Sequence, residues 1–336
     1  MIGTLRKEKQ HIKRSAKPKT EFNAYHTKKM IVERTGGFFF ALLIMGLCFL
    51  ILQPILNQIS VAIMDRSNLF DPTVIAVPRN LSSLNFVMAM DFMNYWPTLF
   101  RTIGVTLAVA ILQIVSCALA AYGFARHNFP FKRIWFTAVL LTIIVPPQVI
   151  MAPLFLNFRF FDFFGIIRAT TGDSINLLDT LTGYMLMVAT GMGLRSGLYI
   201  FMLRQYFRGV PRDLEEAAYL DGCGRLRTFV QIMVPDAMPI LVSCFLFAFV
   251  WQWTDTMYAS MFLNQTGVLS LSVGSLAENF RLWWINTYGH AHVPPMAIMQ
   301  AMIATGMLLT TIPLIILYAF TQRAFVESIG TSGIKM

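Results

Sequence analysis

Charged residues are scarce in this chain of 336 residues: Asp, Glu, Lys and Arg together make up 13% of it, and hydrophobic residues make up 56%. A soluble domain averages about 25% charged residues. A soluble protein with so few charges could not cover its surface with polar groups, so the composition disfavours a soluble enzyme or binding module. The solvent that suits this composition is lipid.

Cysteine is rare too, and the positions of the cysteines indicate no disulfide framework. The four cysteines are Cys48, Cys117, Cys223 and Cys244. Three lie in apolar runs and Cys223 lies in a predicted cytoplasmic loop, so none is placed in a predicted external loop, where a disulfide could form. Spacings of Cys and His typical of zinc sites are missing as well, since the nearest pattern, His290-Ala-His292, offers only two ligands. We therefore expect neither disulfides nor a metal site.

Two further absences limit the function. The chain has no phosphate-binding loop of the form G-x-x-x-x-G-K-[ST], so it is not itself an ATPase of that type. It has no cluster of His, Asp or Glu at one predicted membrane face, as hydrolytic or transfer chemistry would need, so we predict that it is not an enzyme. A cleavable signal peptide is not expected, because the first apolar run follows about 35 polar residues and is longer than a signal-peptide core.

Long apolar runs are what the chain has instead. A helix needs about 20 apolar residues to cross the hydrocarbon core of a membrane. Six runs meet this length: 36–64, 102–125, 134–158, 181–203, 237–263 and 295–321. The sequence therefore predicts an all-α, polytopic membrane protein with six transmembrane helices. Two of the runs contain a charge, Arg195 in the fourth and Asp255 in the fifth.

The positive charges predict the orientation of these spans. Twenty of the 27 Lys and Arg residues lie in the four pieces that share one side with the N-terminus, and six lie in the three loops of the other side. Because cytoplasmic loops carry the excess of positive charge, both termini are predicted to be cytoplasmic. The predicted order is a basic N-terminal tail (1–35), a first span (36–64), an external loop (65–101), a core of five spans (102–322) that includes a cytoplasmic loop (204–236), and a cytoplasmic tail (323–336). The basic tail is interpreted as a solvated segment beside anionic lipid, and not as a nucleic-acid-binding arm.

The loop between Pro211 and Pro239 carries the most specific pattern in the chain. Asp213, Glu215 and Glu216 fall in the first turns of a predicted helix, where carboxylates complement the helix dipole. Two alanines then make one helix face small, and a following Asp-Gly pair ends the helix, since glycine can adopt a positive φ. On physical grounds alone, this is an amphipathic helix-turn-helix that lies on the membrane.

The same loop resembles the cytoplasmic signature of the permease subunits of ATP-binding-cassette (ABC) importers. That signature is E-A-A, two residues, D-G, and then I-x-x-P about nine residues further on. The matching residues are Glu216, Ala217, Ala218, Asp221, Gly222, Ile232 and Pro235. Pro211 and Leu214 complete the longer form, P-x-x-L-x-E-A-A-x-x-D-G, which is typical of the carbohydrate branch. One departure is Cys223, where the family usually has alanine.

The resemblance extends beyond the loop and covers roughly residues 95–336. The segments 120–126, 144–149 and 201–207 and the C-terminal run 322–335 are similar to family motifs, the last as in the maltose-type G subunit. The segment 158–180 is longer than is usual in this branch.

The resemblance implies the fold, the partners and one site. The fold is that of a type I ABC importer permease, and the implied function is translocation of a sugar or oligosaccharide across a bacterial or archaeal cell membrane. The implied partners are a second homologous permease, two ATPase subunits that bind the ATP, and an external solute-binding protein; this chain needs no cofactor of its own. The residues implied in coupling to the ATPase are Glu215, Glu216, Ala217, Ala218, Asp221, Gly222, Ile232 and Pro235. The two glutamates are expected to pair with basic groups on that partner.

A substrate pathway is predicted from polar and aromatic residues at membrane depth. Arg195 is the first candidate, because a charge in a membrane span is functional by default. Arg195 has two alternative interpretations besides substrate contact. It could form a structural pair with Asp255, or it could lie near the outer membrane interface. The other candidates lie in the fifth run and are Trp251, Gln252, Trp253, Asp255 and Tyr258. Aromatic rings beside amide and carboxylate groups suit a sugar, although aromatic residues also occupy membrane interfaces.

Two other transport functions remain open at this point. One is an ABC permease for a peptide, an amino acid or an osmolyte, since a family signature does not determine the ligand. The other is a secondary transporter, which should show paired ionisable groups in several spans, whereas here only Arg195 and Asp255 stand out.

Overall fold

The structure, a computed structural model, describes residues 19–71, 73–74, 77–289 and 292–333. Within these ranges the chain is almost entirely helical, and extended backbone pairs only in two isolated bridges, Met64–Leu81 and Phe161–Ile175. The predicted all-α class is therefore confirmed. Residues 1–18 of the predicted basic tail and His290 lie outside the described residues. Among the described residues, no group of three or more His, Cys, Asp or Glu is placed to hold a metal ion.

The helices are numbered here in chain order. They are α1 (Lys19–Ile63), α2 (Arg66–Leu69), α3 (Leu84–Phe92), α4 (Tyr95–Arg126), α5 (Lys132–Ile144), α6 (Pro147–Arg159), α7 (Ile166–Thr171), α8 (Leu181–Ala189), α9 (Ser196–Gly209), α10 (Asp213–Leu220), α11 (Arg225–Thr228), a π-helical turn (Phe229–Met233), α12 (Val234–Asp236), α13 (Met238–Thr254), α14 (Met257–Phe262), α15 (Leu269–Tyr288) and α16 (Met296–Gly333).

Three described helices are long and apolar enough to cross a membrane: Arg34–Ile63 in α1, all of α4, and Met296–Gln322 in α16. Two bent pairs also qualify if each is one span, α5 with α6 at 111° and Arg225–Asp236 with α13 at 81°. By length and composition the described chain thus has three spans, or up to five. The predicted count of six is not confirmed, because the fourth apolar run folds as two short helices, α8 and α9.

The breaks in the apolar runs have local causes. Val145 precedes two prolines and takes an extended conformation (ψ 122°), since a residue before proline is disfavoured in a helix. In the fourth run, α8 ends where Gly191 adopts φ +78°. The N–H of Gly191 donates to the Val188 carbonyl and that of Met192 to the Met187 carbonyl, the paired bonds of a Schellman C-cap. The glycine therefore ends a helix that hydropathy alone would continue.

The chain divides into two compact units, residues 1–58 and 59–336. In the first, the described side chains of α1 from residue 34 to 54 are exposed, and they are mostly apolar. Such a surface is stable in lipid and not in water.

The second unit is built around α4, which packs against α8, α9 and α13. Small residues of α4, Cys117 and Ala121, are fully buried and let the neighbouring helices approach closely. Tyr199, Leu203 and Phe207 fill the facing side of α9. The end of α4, the buried face of α9 and the segment after α9 share one hydrophobic core, whereas α8 contributes Tyr184, Met187 and Val188 to a second one.

Gly197 allows the closest approach between α9 and α5. A Cβ added there would overlap the Thr142 Oγ1 and would lie 2.9 Å from the Val139 carbonyl oxygen. We expect Gly197→Ala to destabilise the protein by about 1–3 kcal/mol, the usual penalty of overpacking. Gly209→Ala, in the same helix with open space around it, is the matched control and should be neutral. Thermal unfolding of the purified protein in detergent measures both, and equal melting temperatures would contradict the close packing.

Candidate functional site

The signature loop, defined as residues 211–236, begins with helix α10 and turns sharply at Gly222. Gly222 has φ +80°, its N–H donates to the Tyr219 carbonyl at 3.1 Å, and the Cys223 N–H donates to the Ala218 carbonyl at 2.9 Å. These two bonds form a Schellman C-cap, which favours glycine at the position of positive φ. Helix α10 therefore ends at the Asp221-Gly222 pair, as the sequence predicts.

Glu215 is directed into the protein and ties α10 to the end of α4. Its Oε2 lies 3.3 Å from Arg126 Nε, and its Oε1 accepts a hydrogen bond from the Tyr122 hydroxyl at 2.8 Å. The Arg126 and Glu215 side chains are 6% and 9% exposed. Arg126 also donates from Nη2 to the Val210 carbonyl at 2.6 Å, so a single guanidinium contacts both the residue before the signature loop and the first helix of the loop.

The expectation that Glu215 and Glu216 both pair with a partner protein therefore needs a correction. Glu215 is buried and already has its ion pair within the chain, whereas Glu216 is exposed. The Glu215 carboxylate is paired with the Arg126 guanidinium and accepts a hydrogen bond from Tyr122, so its burial is compensated. Only Glu216 is available to a partner.

The ring of Tyr122, the residue that bonds Glu215, packs against two further aromatic rings. The Tyr122 ring lies 5.7 Å from that of Phe207 on α9 and 4.8 Å from that of Phe229 in the π-helical turn. Phe207 and Phe229 also contact each other at 6.2 Å. All three are buried, so aromatic packing joins the signature loop to the ends of α4 and α9.

The opposite face of the signature loop is exposed and partly apolar. Leu220 is 89% exposed and Leu226 is 70% exposed, with Leu214 and Val230 also exposed. Exposed apolar side chains such as these make the loop a candidate for protein binding. Of the eight residues predicted for coupling, Glu216, Ala217, Asp221, Gly222 and Pro235 are exposed, Ile232 is partly exposed, and Glu215 and Ala218 are buried.

A second candidate site lies in the break between α8 and α9, residues 190–195. Arg195 takes the left-handed conformation (φ 60°) immediately before α9, which is uncommon for a residue with a side chain. Its guanidinium carbon lies 3.9 Å from the centre of the Trp251 ring, a cation–π contact with α13. Arg195 is exposed and Trp251 is 40% exposed, so the pair lies on an open face of the unit.

Helix α4 braces both ends of this break. Gln113 is fully buried, and its Nε2 donates to the Leu194 carbonyl at 2.7 Å and to the Ser196 hydroxyl at 2.9 Å. Ser116 donates from its hydroxyl to the Ala189 carbonyl at 2.8 Å. Gln113 is not among the residues predicted from the sequence. An amide inside an apolar run is nevertheless a usable signal, because a polar group at membrane depth needs hydrogen-bond partners.

Other residues predicted for the pathway lie inside the unit. Trp253 is buried, donates from its indole N–H to the Thr310 carbonyl at 3.1 Å, and stacks on Phe249. Gln252 is buried and lines a small cavity of about 10 Å³, which is at the lower limit for holding one water molecule. Tyr258 is also buried. Of the predicted set, the structure brings Arg195 and Trp251 together on the open face.

Asp255 does not form the pair with Arg195 that sequence analysis considered. Its carboxylate accepts backbone N–H bonds from Met257, Tyr258 and Ala259 at 3.1, 3.4 and 3.1 Å. It therefore caps the N-terminus of α14, where a carboxylate satisfies free N–H groups. Within the described residues, no carboxylate lies at ion-pair distance from Arg195.

The chain is similar in sequence to a known protein family and to proteins of that kind. Residues 113–326 match the family model described as the binding-protein-dependent transport system inner membrane component. A probable ABC transporter permease protein of Pyrococcus horikoshii is 33% identical over 189 residues, which are 56% of this chain and 62% of that protein. The arabinooligosaccharides transport system permease protein of Halalkalibacterium halodurans is 23% identical over 292 residues, 86% of this chain and 93% of that protein.

A solved structure shares the fold. It is the crystal structure of a bacterial ABC transporter involved in the import of the acidic polysaccharide alginate. One of its chains superposes with a TM-score of 0.67 at 20% sequence identity, and the match covers 87% of this chain and 97% of that one. The predicted importer permease fold is thereby confirmed. The region matched by the family model begins at Gln113 and contains both candidate sites.

Proposed function

The chain belongs to the family of binding-protein-dependent transport system inner membrane components and is a permease subunit of an ABC importer, not an enzyme, and from that premise we propose that its cargo is a sugar or oligosaccharide. Two observations support the cargo class. The extended signature from Pro211 to Gly222 is of the carbohydrate type. The relative from Halalkalibacterium halodurans is named for the transport of arabinooligosaccharides.

A permease of this family works together with a second permease, ATPase subunits and a binding protein. For this chain we infer a homologous second permease, two ATPase subunits that bind all the ATP, and an external solute-binding protein. We also infer a location in a bacterial or archaeal cell membrane with both termini in the cytoplasm, and the distribution of Lys and Arg supports this orientation.

The single observation that carries the coupling role is the two-sided signature loop. One side is fixed to α4 through the buried pair of Glu215 and Arg126, and the other presents Glu216 and exposed leucines. A loop that is fixed to the membrane helices and open to a partner can transmit the partner's movement to those helices. The coupling residues named above, with Glu215 as the anchor, carry out this step in the proposal.

Reconstitution tests this function. The permease, its second permease, its ATPase and its binding protein, all from the same genome, are placed in lipid vesicles, and uptake of radiolabelled oligosaccharides is measured. We expect uptake only when ATP is present on the side of the signature loop and the binding protein on the other side. An ATPase variant without its phosphate-loop lysine is the control. Uptake driven by an ion gradient in the absence of ATP would contradict the proposal.

A further inference from the structure

The positive charge of Arg195 has no carboxylate partner in the part of the chain that the structure describes. Asp255, which immediately follows α13, accepts hydrogen bonds from three backbone N–H groups at the start of α14. The Arg195 guanidinium lies over the face of the Trp251 ring. This contact leaves the N–H groups at the edge of the guanidinium free to donate hydrogen bonds.

The lengths of α9 and α13 place this pair far from the ends of these helices that lead to the signature loop. Arg195 lies at the start of α9, whose 14 residues span about 21 Å, and Trp251 lies about 20 Å along α13 from Met238. The other ends of these helices are level, because the Tyr206 hydroxyl donates to the Asp236 carbonyl at 2.7 Å. Arg195 and Trp251 therefore lie about 20 Å along α9 and α13 from the helix ends that lead to the signature loop, and both belong to apolar runs predicted to cross the membrane.

The backbone around Arg195 is held in place. Gln113 bonds the residues on both sides of it, Leu194 and Ser196, and the left-handed φ is an outlier of the kind that clusters at ligand sites. An unpaired arginine at membrane depth is unfavourable against lipid, so its face lines protein or a water-filled path. A rigid, unpaired guanidinium on such a path is a binding group for an anion.

We propose that Arg195, which lies over the ring of Trp251, is a cargo subsite that binds the acidic group of an anionic sugar, either a carboxylate or a phosphate. The inference rests on the proposed function and narrows its substrate class. The guanidinium edge donates two parallel N–H bonds to the anion, a geometry that arginine provides and lysine does not. Trp251 is a positioning residue, because it acts through Arg195. Gln113 fixes the backbone that aims the arginine.

The test compares acidic and neutral cargo in the complete reconstituted transporter. The probes are digalacturonic acid, the galactose disaccharide of the same linkage, and galactose 6-phosphate beside galactose, each at saturating binding protein. We expect the wild type to prefer an acidic member of a pair. Arg195→Gln should lower the ratio of acidic to neutral uptake at least tenfold, and Arg195→Lys should lower it less. The carboxylate and phosphate pairs distinguish the two sources of the anion.

Controls separate this inference from a structural role. Because every variant uses the same binding protein, the selectivity of that protein cancels in the comparison. Arg133→Gln, which removes an exposed charge beside the membrane, should leave the ratio unchanged. Trp251→Ala should raise the KM for the acidic probe more than it lowers kcat, and Trp251→Phe should preserve part of the effect.

Two results would overturn the inference. One is a wild type that carries the neutral sugar as well as the acidic one. The other is an Arg195→Gln protein in which uptake of both falls in proportion, as expected if Arg195 only pairs with an acidic residue of the second permease. Dependence on ATP is measured in the same vesicles, so a failure of the proposed function is recognised separately.

Discussion

Replacing Glu215 with alanine is expected to destabilise the permease by about 3–5 kcal/mol, the usual effect of leaving one member of a buried ion pair without its partner. Arg126 would keep a guanidinium that is 6% exposed and would lose the carboxylate 3.3 Å away. The Tyr122 hydroxyl would lose its acceptor at the same time. Chemical unfolding of the purified protein in mixed micelles measures the change.

The neighbouring carboxylate provides the matched control for this prediction. Glu216 precedes the same alanine pair but is exposed, so Glu216→Ala should change the free energy of unfolding by no more than about 0.5 kcal/mol. A double variant, Glu215→Leu with Arg126→Met, should recover much of the loss, because it removes both buried charges. Equal effects of Glu215→Ala and Glu216→Ala would show that the buried pair does not stabilise the loop.

The difference between Glu215 and Glu216 could not be predicted from the sequence. Both lie in the first turn of α10, and the helix period alone does not say which of two adjacent residues faces inward. The answer depends on Arg126, at the end of a helix far earlier in the chain. The Gly222 turn, in contrast, can be predicted from the sequence. A positive φ is a local property of the backbone, and an Asp-Gly pair indicates it.

The apolar runs show the same division between local and tertiary information. Hydropathy predicts the apolar segments of α1, α4 and α16, which are continuous, and the Pro146-Pro147 pair is a local signal for the bend after α5. The break at 190–195 is different, because glycine is common in unbroken membrane helices. It is stabilised by Gln113 and Ser116, whose role appears only once α4 lies beside it.

Helix α15 was missed for a related reason. It contains Glu278 and Arg281, which pair with each other at the surface, and so it fails a test of continuous hydrophobicity. Its buried residues Leu269, Leu276 and Phe280 follow helical spacing and pack in the core of the second unit. A search for periodicity, rather than for apolar length, would find this helix.

Gly222→Asp is expected to reduce ATP-driven uptake at least tenfold while the protein still inserts into the membrane. A side chain at φ +80° costs about 1–2 kcal/mol and weakens the Schellman C-cap that ends α10. The exposed leucines on either side of the turn, Leu220 and Leu226, would then lose their relative placement. The measurement is uptake by the reconstituted complex, together with the amount of ATPase subunit that co-purifies with the permease.

Gly224→Asp is the matched control, because Gly224 lies in the same loop with φ −74° and with open space where a Cβ would be. It introduces the same charge without backbone strain, so it should retain uptake and ATPase binding. Glu216→Lys keeps the backbone intact and reverses an exposed charge of the same face, and it should also weaken ATPase binding. If Gly222→Asp and Glu216→Lys both transport normally with the ATPase bound, the signature loop does not couple the ATPase to the membrane helices, and the buried pair of Glu215 and Arg126 serves stability alone.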